Sequence, residues 1–287
     1  MATRKVITRL VLTMFAGLAL VFPGVAFSQD VGAHANGLTG NAENGKALYR
    51  RFCVGCHGVE GNGEGENAIW LDPRPRDFTT ALFRWRSTPT GTLPTDEDLY
   101  NTITRGVVGT LMPTWRPLTP QDRVDTIAYI KTFSPRWKSQ KAGTPVVVPA
   151  EPPESIESVL HGRELFDKMQ CWKCHGNEGR GDGPSEPTLT DDKNLHITPY
   201  NFHDGVRFRC GETNQDLYKI FITGLDGTPM PSFADIIQPN DAWDLVHFLR
   251  TLQPQVKSKS RDLWLEYVKS HAGQIKPMAS DQPTGSQ

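Results

Sequence analysis

Two pentapeptides, CVGCH at 53–57 and CWKCH at 171–175, decide how this 287-residue chain is read. They lie 118 residues apart, and sliding the sequence onto itself by that offset aligns far more than the cysteines. Glycines 58, 61, 63 and 65 fall on glycines 176, 179, 181 and 183. DLYNTITRGVVGTLMPTW (98–115) falls on DLYKIFITGLDGTPMPSF (216–233) without a gap. His57 stands 55 residues before Met112, and His175 stands the same 55 residues before Met230. The chain is built from two copies of one unit.

Outward from these motifs the sequence divides into five stretches. Residues 1–28 have the layout of a secretory signal peptide, with Arg4, Lys5 and Arg9 ahead of an apolar run from Leu10 to Phe22 and a cleavage site near Ser28. That run is interrupted by Thr13 and Gly17 and is shorter than the ~20 residues that span a bilayer. Residues 29–137 hold the first copy and 156–253 the second. Between them KSQKAGTPVVVPAEPPES (138–155) is rich in proline and lacks helical periodicity, the composition of an extended linker. Residues 254–287 form a C-terminal extension with room for one short helix, and its polar end from about Lys276 reads as disordered. With no other stretch apolar enough for a membrane span, the expected mature protein is soluble and periplasmic.

Each copy reads as mainly α. NGKALYRRF (44–52) and HGRELFDKM (161–169) lead into the cysteine motifs with apolar residues on one face. DEDLYNTITRG and NQDLYKIFITG stop at Gly106 and Gly224, as helices often do. Segments 119–133 and 238–252 begin with a proline in the first turn and continue as apolar stripes. The loops between these helices are too long to fold around side chains alone.

The adjacent Cys, Cys and His admit three chemistries. A structural zinc site needs about four nitrogen or sulfur ligands, usually as two pairs, and each copy has one pair. A redox dithiol needs no following histidine and usually sits on a strand-helix unit. Covalent haem attachment uses every part, two thiols for the vinyl groups and an imidazole for the iron, and Cys-x-x-Cys-His is its signature. A covalent haem also supplies the hydrophobic mass that each copy lacks. Five cysteines are too few for a disulfide scaffold, and Cys210, outside both motifs, reads as an inert buried thiol.

The whole pattern resembles class I cytochrome c, as a tandem dihaem form, over residues 41–135 and 158–252. The resemblance implies two class I cytochrome c-like helical domains, each wrapped around a covalent haem c with long loops. It implies that Cys53, Cys56 and His57 hold one haem and Cys171, Cys174 and His175 the other, with Met112 and Met230 as second axial ligands. A methionine among apolar residues is more often a core filler. These two differ in following Gly-Thr and preceding proline at the same place in both copies. The family's packing of a first-helix glycine and aromatic on a last-helix aromatic falls on Gly45, Tyr49 and Tyr129, and on Gly162, Phe166 and Phe248. FRWRS (83–87) and VRFRC (206–210) place Arg84, Arg86, Arg207 and Arg209 either beside haem propionates, which a guanidinium matches in two-point geometry, or on a solvated basic loop.

His/Met ligation leaves no position for a substrate. The expected function is therefore that of an electron carrier between redox partner proteins, for example a dehydrogenase or molybdenum oxidoreductase and an oxidase or membrane complex. Two alternatives stand beside it: a dihaem peroxidase-like enzyme, and a fixed subunit of a larger redox complex. Nucleic acid is excluded on charge, because removing the signal segment takes the formal charge from −1 to −4. Residues 156–253 carry 9 basic and 15 acidic side chains against 12 and 12 in 29–137. That imbalance predicts the lower potential at His175 and a basic donor docking on Asp191, Asp192, Asp204 and Glu212.

Overall fold

A computed structural model describes residues 32–204 and 207–275. The signal peptide expected at 1–28 and the polar tail from about Lys276 lie outside these described residues. The first repeat opens with an antiparallel pair, β1 (His34–Ala35) and β2 (Leu38–Thr39), followed by α1 (Ala42–Phe52), α2 (Val54–His57), α3 (Asp96–Arg105), α4 (Pro120–Lys131) and α5 (Arg136–Ser139). The second consists of α6 (Ile156–Lys168), α7 (Trp172–His175), α8 (Asn214–Thr223) and α9 (Pro239–Thr251), and α10 (Lys259–Ser270) follows it. The fold is mainly α, with ten α-helices and one two-stranded pair among the described residues. No helix among the described residues is long and apolar enough to cross a membrane.

Local chemistry sets the helix limits. Thr95, Thr119 and Thr213 each cap a helix by accepting from the backbone N–H of an aspartate three residues on, whose carboxylate reaches back to the threonine N–H. Pro120 and Pro239 occupy the first turns of α4 and α9. Both α3 and α8 end at a glycine with positive φ, Gly106 at 69° and Gly224 at 62°. Helix α6 starts at Ile156 rather than 161, because Ser155 caps the Ser158 N–H and Val159 extends the buried stripe.

In each repeat the helix ahead of the cysteine motif packs on the last long helix, α1 on α4 and α6 on α9. Closest approach falls at Gly45 and Gly162, where a β-carbon would overlap the carbonyl group of Asp125 or Asp244. Beside those glycines Tyr49 meets Tyr129 edge-on at 5.4 Å, and Phe166 meets Phe248 at 5.5 Å. Gly45→Ala or Gly162→Ala is therefore expected to destabilise its repeat by about 1–3 kcal/mol, since backbone rather than a side chain must move. Denaturant unfolding followed at the haem absorption measures this. An unchanged midpoint would contradict the packing argument.

The repeats are also joined through a charged contact. In the loop between α7 and α8, Asp191 and Asp192 pair with Arg84 (3.3 Å) and Arg76 (2.8 Å), and Lys193 donates to the Asn62 carbonyl (2.6 Å). Asp226 pairs with Arg86 at 2.9 Å. The expected docking patch is thus corrected at two of its four residues: the side chains of Asp191 and Asp192 are only 8% and 18% exposed because they face the first repeat. The segment expected as a linker is extended but strapped down. Its Gly143 and Val146 N–H groups donate to the Leu93 and Ser87 carbonyls, and Glu151 reaches the buried His247.

Candidate functional site

In the first repeat a cavity of about 360 Å³ opens between α2, α3 and α4. Cys53, Cys56 and His57 line it, as do Met112 and the apolar side chains of Phe78, Leu99, Ile103 and Ile130. Short helix α2 brings the thiols and imidazole to the wall within one turn. His57 stacks on Phe78 at 4.5 Å, and its Nδ1 lies 3.0 Å from the Arg76 carbonyl oxygen. That hydrogen bond fixes the tautomer and leaves Nε2 as the basic nitrogen. Burial pushes His57 down to about 4, so the ring is neutral at physiological pH, as a metal ligand must be. Burial likewise pushes the Cys53 and Cys171 thiols up to about 12, which removes the thiolate that a redox pair requires.

The second repeat reproduces these contacts. His175 stacks on Phe202 at 4.9 Å with Nδ1 3.2 Å from the Tyr200 carbonyl oxygen, and burial lowers its pKa as well. The two methionine turns also correspond bond for bond. Val107 N–H donates to the Met112 carbonyl and Leu225 N–H to that of Met230, while Thr110 and Thr228 hydroxyls accept from the methionine N–H groups. Trp115 and Phe233 close each turn by donating their N–H groups to Ile103 and Phe221.

Residues 159–253 match the family described as cytochrome c, and residues 40–130 match cytochrome c oxidase, cbb3-type, subunit III. A chain of the Kuenenia stuttgartiensis reducing HAO-like protein complex is 40% identical, with a TM-score of 0.72, over 74% of this chain and 97% of that one. This chain belongs to the cytochrome c family. The cytochrome is a dihaem protein with two covalently bound haem c groups, and the cysteine pairs at 53/56 and 171/174 fit the two attachment motifs. No curated protein matches it significantly.

The cytochrome's own polar atoms fit such a group. Arg76 Nε and Nη1 and Arg84 Nε are buried without a hydrogen-bond partner among the described residues, and both arginines line the cavity. Buried unpaired donors are costly, and a propionate carboxylate is the complementary acceptor. Arg84 was expected there; Arg76 was not, because the sequence signal at position 76 was an arginine among several. The other arginines are placed differently. Arg86 is absent from the cavity wall and is bound by Asp226 and the Thr223 carbonyl. Arg207 is exposed and pairs with Glu212, and Arg209 keeps a buried Nε without a partner. Cys210 lies at a second cleft, beside Arg105 and Asp216, with its thiol pushed up to about 12 by burial.

Proposed function

We propose that the protein is a periplasmic two-centre electron relay, working as a subunit or docking partner of a larger redox complex. In each repeat the histidine, His57 or His175, and the methionine, Met112 or Met230, would hold the haem iron, and the cysteine pair would tether the group. The observation that carries this reading is the apolar cavity of the first repeat, on whose wall Cys53, Cys56, His57 and Met112 meet. When bound, a haem held by histidine and methionine would supply a one-electron centre of raised potential.

The chain's part is positional. The Arg76 and Tyr200 carbonyls orient the imidazoles, the hydrogen-bonded turns hold the methionines, and the apolar walls exclude water, so little has to rearrange when charge changes. Val108 and Leu111 stand exposed on the Met112 turn, an apolar rim suited to brief contact with a partner. The place in a complex rests on the relative named above, a chain of a reducing HAO-like protein complex. A dehydrogenase or molybdenum oxidoreductase as donor and an oxidase or membrane complex as acceptor are the partners such a relay would join.

Gel filtration of periplasmic extract from the native host, followed at the haem absorption, tests the complex. Elution with a larger redox enzyme that reduces or oxidises both haems is expected. Elution only at the size of one mature chain, with no such enzyme, would contradict it.

A further inference from the structure

We propose that the turn presenting Met230 is held in place by the first repeat, so that methionine ligation in the second site depends on the contact between repeats while ligation in the first does not. This rests on the ligand reading above. The repeat alignment sets Asp226 over Val108, a difference in kind inside the most similar segment of the two copies. Val108 is 39% exposed, and Asp226 is 9% exposed.

The buried carboxylate is fully engaged by the other repeat. Its Oδ1 lies 2.9 Å from Arg86 Nη2 and accepts from the Thr90 hydroxyl at 2.7 Å, and its Oδ2 accepts from the Gly91 N–H at 3.0 Å. The Arg86 side chain is wholly buried and also donates to the Thr223 carbonyl at 2.7 Å, at the end of α8. Gly91 is itself anchored, its carbonyl accepting from Arg136 at 2.8 Å.

A second tether lies one residue on. The Gly227 carbonyl accepts from the Asp192 N–H at 3.2 Å, and the Asp192 carboxylate is clasped by Arg76. Residues 225–230 thus carry two attachments to structures fixed by the first repeat, just ahead of the methionine. By contrast, among the described residues no hydrogen bond or ion pair joins 107–112 to the second repeat. Removing one partner of a buried ion pair leaves an uncompensated charge, which the turn can relieve only by moving. Arg86 and Asp226 are positioning residues acting through the turn, and each site differs from the other in what secures its methionine.

The test uses full-length holoprotein carrying Asp226→Asn or Arg86→Gln, with Met230→Ala as the reference. Half of the far-red methionine–iron absorption of the oxidised protein should be lost, and one equivalent of carbon monoxide per chain should bind on reduction, as in Met230→Ala. The first site should be unchanged. Two haems, full far-red absorption and no carbon monoxide binding in both variants would overturn the proposal. Thr90→Val, which removes one hydrogen bond and keeps the ion pair, covers a failure of the others to fold. On heating, the half of the band that Met230→Ala removes should bleach before the other, and simultaneous bleaching would overturn the proposal. If the parent already lacks half the band, the ligand reading fails instead, a result distinct from either.

Discussion

Cys56→Ala or Cys174→Ala is expected to yield protein with about half the parent haem and one repeat without a core. The physical reason is the size of what the haem fills. In the first repeat an apolar cavity of about 360 Å³ left empty costs on the order of 9 kcal/mol at ~24 cal/mol per Å³. That matches the whole stability of a small domain, about 5–15 kcal/mol. The affected repeat should lose its protection from proteolysis, and the intact one should keep its absorption. Haem content by pyridine haemochrome, beside limited proteolysis, reads both effects. Full haem in either variant would contradict attachment at these motifs.

Met112→Ala or Met230→Ala should open one axial position. The potential of that haem should fall by on the order of 0.2 V, within the ~0.8 V range that axial ligands span. The reduced variant should bind one equivalent of carbon monoxide that the parent does not. Because the turns around Met112 and Met230 are closed by the same hydrogen bonds, the two variants should behave alike at their own sites. Spectroelectrochemical titration measures the potentials. A parent that already binds carbon monoxide at one haem would contradict the relay reading and favour a peroxidase-like enzyme.

Much of the fold was legible in the sequence because its signals are local. Apolar periodicity, first-turn prolines and terminal glycines located α3, α4, α8 and α9 within a residue or two. The repeat brought Cys53, Cys56, His57 and Met112 into one expected set before any contact was seen. What faces the other repeat was not legible. Asp191 and Asp192 look like solvated acids until Arg84 and Arg76 stand opposite them, since a charge count carries no direction. Arg86 resembled a propionate partner for the same reason, whereas its guanidinium belongs to Asp226. The contribution of Arg76 to His57 runs through a backbone carbonyl, which no side-chain pattern encodes. One clue does stand in the sequence: in the turn ahead of the methionine, Asp226 places a charge where the first copy has Val108.

The pairing of these charges also changes what the acidic second half implies. Three of its aspartates, 191, 192 and 226, are balanced by Arg84, Arg76 and Arg86, so the field at His175 is weaker than the formal imbalance of 9 basic to 15 acidic suggests. Exposed acids such as Asp204 are screened by salt over about 8 Å at physiological ionic strength. The order of the two potentials therefore rests on local contacts rather than on the formal charge of each repeat.

The central claim is that each repeat holds one haem between its own histidine and its own methionine. Near-infrared magnetic circular dichroism of the oxidised, full-length protein tests this most directly, because it counts haems by their axial ligands. The account predicts two low-spin histidine–methionine haems per chain and no high-spin signal. One such haem beside a high-spin or bis-histidine centre would contradict it.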